Sequence, residues 1–136
     1  MTTLLRSYLK ILAGLTILSC LGQLGLPALL GASSAWGVAP GWQREIAFWD
    51  VAMYIVIART LRSNDVAAGR TVAIALVVLQ LLVTANHATA AIQGRATLNM
   101  IMAAVNSVCV VFGIWALSRP VVGGGLASRG LTSGCG

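Results

Sequence analysis

No charged residue lies between Lys10 and Arg44, between Arg70 and Arg95, or between Arg95 and Arg119. Such charge-free runs constrain the fold more than any other feature of this chain. A bilayer core about 30 Å thick is crossed by about 20 largely apolar residues in helical form. Each run is long enough to do so. Across the 136 residues, 9% are charged and 58% hydrophobic, against roughly a quarter charged in soluble domains. So few charges cannot cover a water-facing surface, which excludes a soluble globular protein. The hydrophobic content excludes a disordered chain. The length allows one domain.

The runs resolve into four expected spans, about residues 8–30, 42–61, 72–92 and 98–117. The predicted fold class is all-α, a transmembrane four-helix bundle over residues 1–119. Turn and charge signals separate the spans. Ser33, Ser34 and Pro40 punctuate the first loop, Ser63-Asn64-Asp65 the second, and Gln93-Gly94-Arg95 the very short third. Residues 120–136, rich in glycine, read as a flexible cytoplasmic tail. A competing reading takes the first span as a signal peptide with Arg6 and Lys10 as its basic head and a cleavage site near Ser33-Ser34-Ala35. Its apolar stretch exceeds the usual signal core of about 7–15 residues, which favours a retained helix.

The second span is the weakest. Arg44 and Arg59 bracket a segment of roughly 21 Å, short of the hydrocarbon thickness, and Asp50 lies inside it. A lone aspartate at mid-membrane costs about 2.5–3.5 kcal/mol on insertion scales. This helix is therefore expected inside the bundle, with both arginines reaching for the interfaces.

Orientation follows from the basic residues. With the N-terminus in the cytoplasm, Arg6, Lys10, Arg59, Arg62, Arg70, Arg119 and Arg129 fall inside, and Arg44 and Arg95 outside. That bias obeys the positive-inside rule over four crossings and places both termini in the cytoplasm, N-in/C-in. Trp36 and Trp42 then mark the outer interface, Tyr8 and Trp115 the inner one. The net charge of +6 is scattered between apolar runs and forms no patch that would replace counterions, so no nucleic-acid partner is expected.

Placed by depth, the polar residues gather in the outer half. Glu45 sits at the mouth of the second span, and Asp50 about 9 Å below Arg44. Asn86 and His87 lie near the top of the third span, Asn99 and Asn106 in the upper part of the fourth. Gln80, Thr84 and His87 share one helical face, as do Asn99, Asn106 and Gly113. The short third loop makes these two helices antiparallel neighbours, so His87 is expected against Asn99 or Asn106. Asp50 is expected to pair with His87, or with Arg44 or Arg95 from the rim. Asp50, His87, Asn86, Asn99, Asn106 and Glu45 are the candidate binding residues.

No catalytic residue is assigned. There is one histidine, and no carboxylate stands at ligand spacing, so no metal or other cofactor is expected. Cys20, Cys109 and Cys135 are far apart and read as small buried hydrophobes. Small residues, Gly14, Gly22 and Gly25 in the first span and Ala85, Ala88 and Ala91 in the third, are expected at close helix contacts.

The segment Gln43-Arg44-Glu45-Ile46-Ala47-Phe48-Trp49-Asp50, the basic loop before the third span and Gly94-Arg95 after it resemble the small four-span DoxX-like bacterial membrane proteins. The resemblance covers roughly Leu4 to Arg119 and implies a four-helix bundle with a small accessory role. It carries over no catalytic residue. The small multidrug transporters resemble the chain less. They rely on a glutamate in the first helix, where this chain offers only Gln23. Three functions follow from these readings. The first is a non-enzymatic accessory or interaction subunit of a larger assembly in the bacterial inner membrane, bound to a membrane-protein partner or to its own copies. The second is a binding protein whose outer-leaflet polar pocket takes a lipid, quinone or other amphiphile. The third is an oligomeric small-solute transporter.

Overall fold

Thr2 opens the first helix by accepting a hydrogen bond at its hydroxyl from the Leu5 amide, 3.2 Å away, which satisfies one of the donors a helix start leaves free. In the computed structural model, which describes residues 1–32, 34, 36–93 and 97–120, helix α1 runs Thr3–Gly25. It does not continue to residue 30 as expected. Proline lacks an amide donor, and it disfavours helical backbone in the residue before it. Ahead of Pro27, Leu26 leaves the helical region (φ −131°, ψ 42°). A short helix α2, Pro27–Ala32, follows.

Helix α3, Pro40–Ser63, begins with proline in its first turn, where the missing amide costs nothing. It closes on Asn64, which adopts left-handed backbone (φ 53°) and returns its amide to the Thr60 carbonyl at 3.2 Å. Asparagine tolerates that conformation better than most residues. Asp65 then caps α4, Val66–Ile92, accepting from the amides of Ala67 and Ala68 at 2.8 and 3.2 Å. So two residues reverse the chain, and α4 starts six residues earlier than the apolar run alone implies. Helix α5 runs Thr97–Ser118, within a residue of its expected bounds. The tail 121–136, with Arg129 and Cys135, and the turn Gly94–Arg95 lie outside the described residues.

Helix makes up 89% of the described residues, with no strand among them, as the all-α expectation requires. The most extensive contacts join α1 to α3 and α4 to α5, and α1 also touches α4 and α5. At the lower end Arg6 donates to the Asn64 side chain (3.2 Å) and Leu5 packs beside Gly69. At the upper end the Gln43 amide donates to the Pro27 carbonyl (2.7 Å). Helices α1 and α3 are thus antiparallel over their whole length.

The core occupies the lower half. Leu5, Tyr8, Leu9 and Leu12 of α1 pack with Ile57, Ala73, Leu76, Cys109 and Ala116. Three helices converge tightly at Gly113, where a Cβ would lie 2.5 Å from Val77 Cγ2 and 2.8 Å from Tyr8 Cζ. The first span's glycines divide. A Cβ on Gly22 would stand 3.3 Å from Leu30 Cδ1, a close approach as expected, whereas Gly14 and Gly25 face open space, so the close approach expected of those two is not made among the described residues. Cys109 is buried and Cys20 half-buried, both as free thiols.

The exterior is apolar. Leu18, Trp49, Ile92 and Val108 are 66, 73, 86 and 69% exposed, an arrangement water would not tolerate on this scale. Helices α1, α4 and α5 are long and apolar enough to cross a membrane. Helix α3 matches them in length, 24 residues, but Arg44, Glu45, Asp50 and Arg59 interrupt its apolar residues and it falls below their hydropathy.

Candidate binding site: a polar layer in the upper half of the bundle

Four inward faces change character at one height. From Tyr8, the inner stripe of α1 climbs through Leu12 to Thr16, Ser19 and Gln23, each one helical turn on. From Val77 the face of α4 passes Gln80, Thr84 and His87. From Gly113 the face of α5 rises through Asn106 to Asn99. Helix α3 contributes Ile57, then Met53, then Asp50. Up to Leu12 on α1, Val77 on α4 and Cys109 on α5 these faces are apolar and belong to the core. Above that height they are polar and mostly half-buried.

Helix rise fixes the common depth. At about 1.5 Å per residue, Ser19 stands roughly 21 Å above Leu5, and Asp50 roughly 21 Å above Asn64. The two reckonings agree, and Ser19 does face the Asp50 carboxyl. On α4, Gln80, Thr84 and His87 stand roughly 16, 22 and 27 Å above Gly69 by the same rise. The layer is therefore roughly 10 Å thick.

Within it, His87 Nδ1 lies 3.0 Å from Asn99 Oδ1. With the amide oxygen as acceptor, the ring carries a proton on Nδ1. The Trp36 ring, from the first loop, stands edge-on to the imidazole, centroids 5.3 Å apart. Asn99 is fully buried.

The expected pair of Asp50 and His87 does not form. Asp50 lies on α3, which packs mainly against α1, and its partner is Ser19. Depth gave the right height for both residues but not their neighbours. Arg44 is exposed and does not reach the carboxylate. Asn106 turns its amide back to the Met102 carbonyl of its own helix (2.7 Å). Asn86 is exposed on the outer side of α4. Glu45 is also exposed and, with Phe48, Trp49 and Ala52, borders a shallow open hollow of about 280 Å³ on the outward face of α3. Among the six candidates, the structure joins His87 to Asn99, sets Asp50 and Asn106 in the same layer, and leaves Asn86 and Glu45 outside it.

Ser19 and Gln23 belong to the layer and were missing from the sequence reading. The signal was available: they sit four residues apart on one face of α1, and the depth argument applied to the other spans finds them. Gln80 and Thr84 share the His87 face and also belong.

The layer is short of partners. Gln23 Oε1, Asp50 Oδ2, Gln80 Oε1 and Thr84 Oγ1 are buried without a hydrogen bond, as are Gln43 Oε1 and, in the core below the layer, the Tyr8 hydroxyl. Buried polar atoms in folded proteins are nearly all paired, so four in one layer form an unusual concentration. Near the lower end, Thr60 and Thr71 return their hydroxyls to carbonyls of their own helices at 2.9 and 3.0 Å. Among the described residues no three His, Cys, Asp or Glu side chains converge as metal ligands.

The arrangement is that of an all-helical membrane protein with a dry lower half and a polar upper interior. Compared with known proteins, the chain matches no family model, no curated relative and no solved structure.

Proposed function

We propose that this chain is a four-span protein of a bacterial inner membrane, N-in/C-in, whose outward half binds the polar head of an amphiphile. The basic residues support the topology, seven inside against two outside. Support for α3 as a crossing comes from its contacts with α1, which run from Arg6 and Asn64 at one end to Pro27 and Gln43 at the other. The observation that carries the binding function is the polar layer with its unpartnered atoms. Intramembrane ionisable and polar groups that are not internally satisfied often mark sites. Here they lie between helices whose outer surfaces are lined by lipid-compatible side chains such as Leu18 and Leu21.

Purification into lipid nanodiscs followed by native mass spectrometry tests this reading. The wild-type chain should retain a co-purified amphiphile, and Asp50→Ala and His87→Ala should lose it. Retention by both variants, or no retained species at all, refutes the binding role. Single cysteines at Thr2 and at Trp36, labelled from either side of the membrane, test the topology. Thr2 should react only from the cytoplasm and Trp36 only from outside.

A second reading, the accessory subunit, draws on the outward face of α3. There Trp42, Phe48 and Trp49 stand 65, 64 and 73% exposed around Glu45, and a carboxylate among aromatic rings is a poor lipid surface but a good protein contact. A stoichiometric partner in mild detergent would support it. Recovery of a homogeneous monomer would count against it.

A further inference from the structure

The atoms that the polar layer leaves unpaired specify the chemistry of its ligand. Asp50 Oδ2, Gln23 Oε1 and Gln80 Oε1 are buried without a partner. A carboxylate oxygen and two amide oxygens can only accept. Thr84 adds a hydroxyl, which accepts or donates as the neighbour requires. His87, paired through Nδ1 with Asn99, stands at the top of the same α4 face. Among the described residues, no lysine or arginine lies on the inward faces above Tyr8, Val77 and Gly113; Arg44 is exposed at the rim.

These acceptors come from three helices and lie at overlapping heights by helix rise. Tyr8, Val77 and Gly113 meet at a single junction. Gln23, Gln80 and Thr84 continue the α1 and α4 faces upward from it. The contact of Ser19 with Asp50 brings α3 to the same stripe of α1.

We propose that the layer binds a protonated amine, presented as the ammonium headgroup of a membrane lipid. This rests on the binding function above and narrows it. An ammonium supplies up to three N–H donors and one positive charge, matching a set of acceptors around a single carboxylate. A phosphate or carboxylate headgroup would meet further acceptors and the Asp50 charge. A quinone offers only carbonyl acceptors and would leave the carboxylate and amide oxygens unpaired. A trimethylated amine carries the charge but no N–H, and it too leaves them unpaired. The lipid source is favoured over an amine from water because the outer surface beside the layer carries exposed Leu18 and Leu21.

The full-length protein is placed in nanodiscs containing equal parts of phosphatidylethanolamine, phosphatidylcholine and phosphatidylglycerol with identical acyl chains, and retained lipids are counted by native mass spectrometry. Phosphatidylethanolamine should be retained about tenfold over the other two, the expected worth of charge-assisted hydrogen bonds set against none. The isosteric Asp50→Asn should bring it down to the level of phosphatidylcholine. Gln80→Leu should weaken it without abolishing it, and circular dichroism confirms that each variant is folded. Competition by millimolar ethanolamine would identify a site that also takes the free ammonium from water; its absence identifies the lipid alone. Equal retention of phosphatidylcholine or phosphatidylglycerol, or an Asp50→Asn chain with unchanged selectivity, overturns the ammonium assignment. In that case a lipid still lost on His87→Ala leaves the binding function standing. If no lipid of any kind is retained, both fall.

Discussion

Replacing Gly113 by alanine isolates the junction on which the lower core is built. The added Cβ would stand 2.5 Å from Val77 Cγ2, 2.8 Å from Tyr8 Cζ and 2.9 Å from Tyr8 Oη, all closer than carbon atoms approach in folded proteins. Neither neighbour yields easily. Tyr8 is fully buried with Phe112 edge-on against its ring at 5.9 Å. Val77 is β-branched and held to essentially one rotamer in a helix. Overpacking of this kind costs about 1–3 kcal/mol, and two rigid neighbours argue for the upper part of that range. Alanine returns about 0.8–1.0 kcal/mol of helix propensity. The net expectation is a loss of about 1–2 kcal/mol. Gly14→Ala is the control, since nothing lies within 4 Å of its added Cβ; it should be neutral or gain up to about 1 kcal/mol. Both are measured by reversible unfolding in mixed micelles of mild detergent and dodecyl sulfate, followed by circular dichroism. Val77→Ala should partly rescue Gly113→Ala, so that the double variant is less destabilised than the sum of the singles. If Gly113→Ala unfolds no earlier than Gly14→Ala, the three-helix junction is not packed as described.

Other outcomes follow from single contacts. Asp65→Ala removes the cap of α4, and unfolding should show a loss of about 1 kcal/mol; an unchanged midpoint would mean the two-residue turn holds without it. A double-mutant cycle on His87 and Asn99 should show a coupling of about 0.6 kcal/mol and up to about 1.7. The corresponding cycle on Asp50 and His87 should be additive within about 0.5 kcal/mol, and the reverse pattern would place the aspartate beside the imidazole after all. Gln43→Leu strips the Pro27 carbonyl of its donor and should cost about 1 kcal/mol. Its other effect should be faster hydrogen exchange in α2, and unchanged exchange would show that the break at Leu26 is held by something else.

The sequence predicts some elements closely because a single physical rule dominates them. Helix α5 lies between a charge-free run's two ends, so hydropathy alone bounds it. The heptad of Asn99, Asn106 and Gly113 faces inward as its spacing predicts, since side-chain direction on a helix is set by local geometry. The break at Leu26 escapes hydropathy because Pro27 sits among leucines; what ends the helix there is a backbone constraint, which proline carries in any surroundings. Partner choice within the layer escapes for another reason. Residue spacing gives the height of Asp50 and His87, but which side chains meet depends on which helices are neighbours. The extensive contacts of α1 with α3 and of α4 with α5 are non-local, and nothing in the spacing of Asp50 announces Ser19.

The division of the bundle bears on transport. A solute path through a single chain needs polar or water-filled surroundings over the full membrane thickness. In the lower half the inner faces of the helices are closed by Leu5, Leu9, Leu12, Ile57 and Leu76, each at most 2% exposed, and the tightest point lies directly beneath the polar layer at Gly113. The layer is therefore closed off below. Such an asymmetric interior suits capture from one leaflet. For a transporter the plug would have to part, and the glycine at its centre is where it is packed hardest. Were transport the function, Gly113→Ala would be expected to stop flux, while Gly113→Ala should leave retention of a lipid in the upper layer within about twofold of the wild type, because the atoms nearest the new methyl, on Val77 and Tyr8, belong to the junction below the layer. Solute flux into proteoliposomes that is abolished by this substitution would refute the one-sided site.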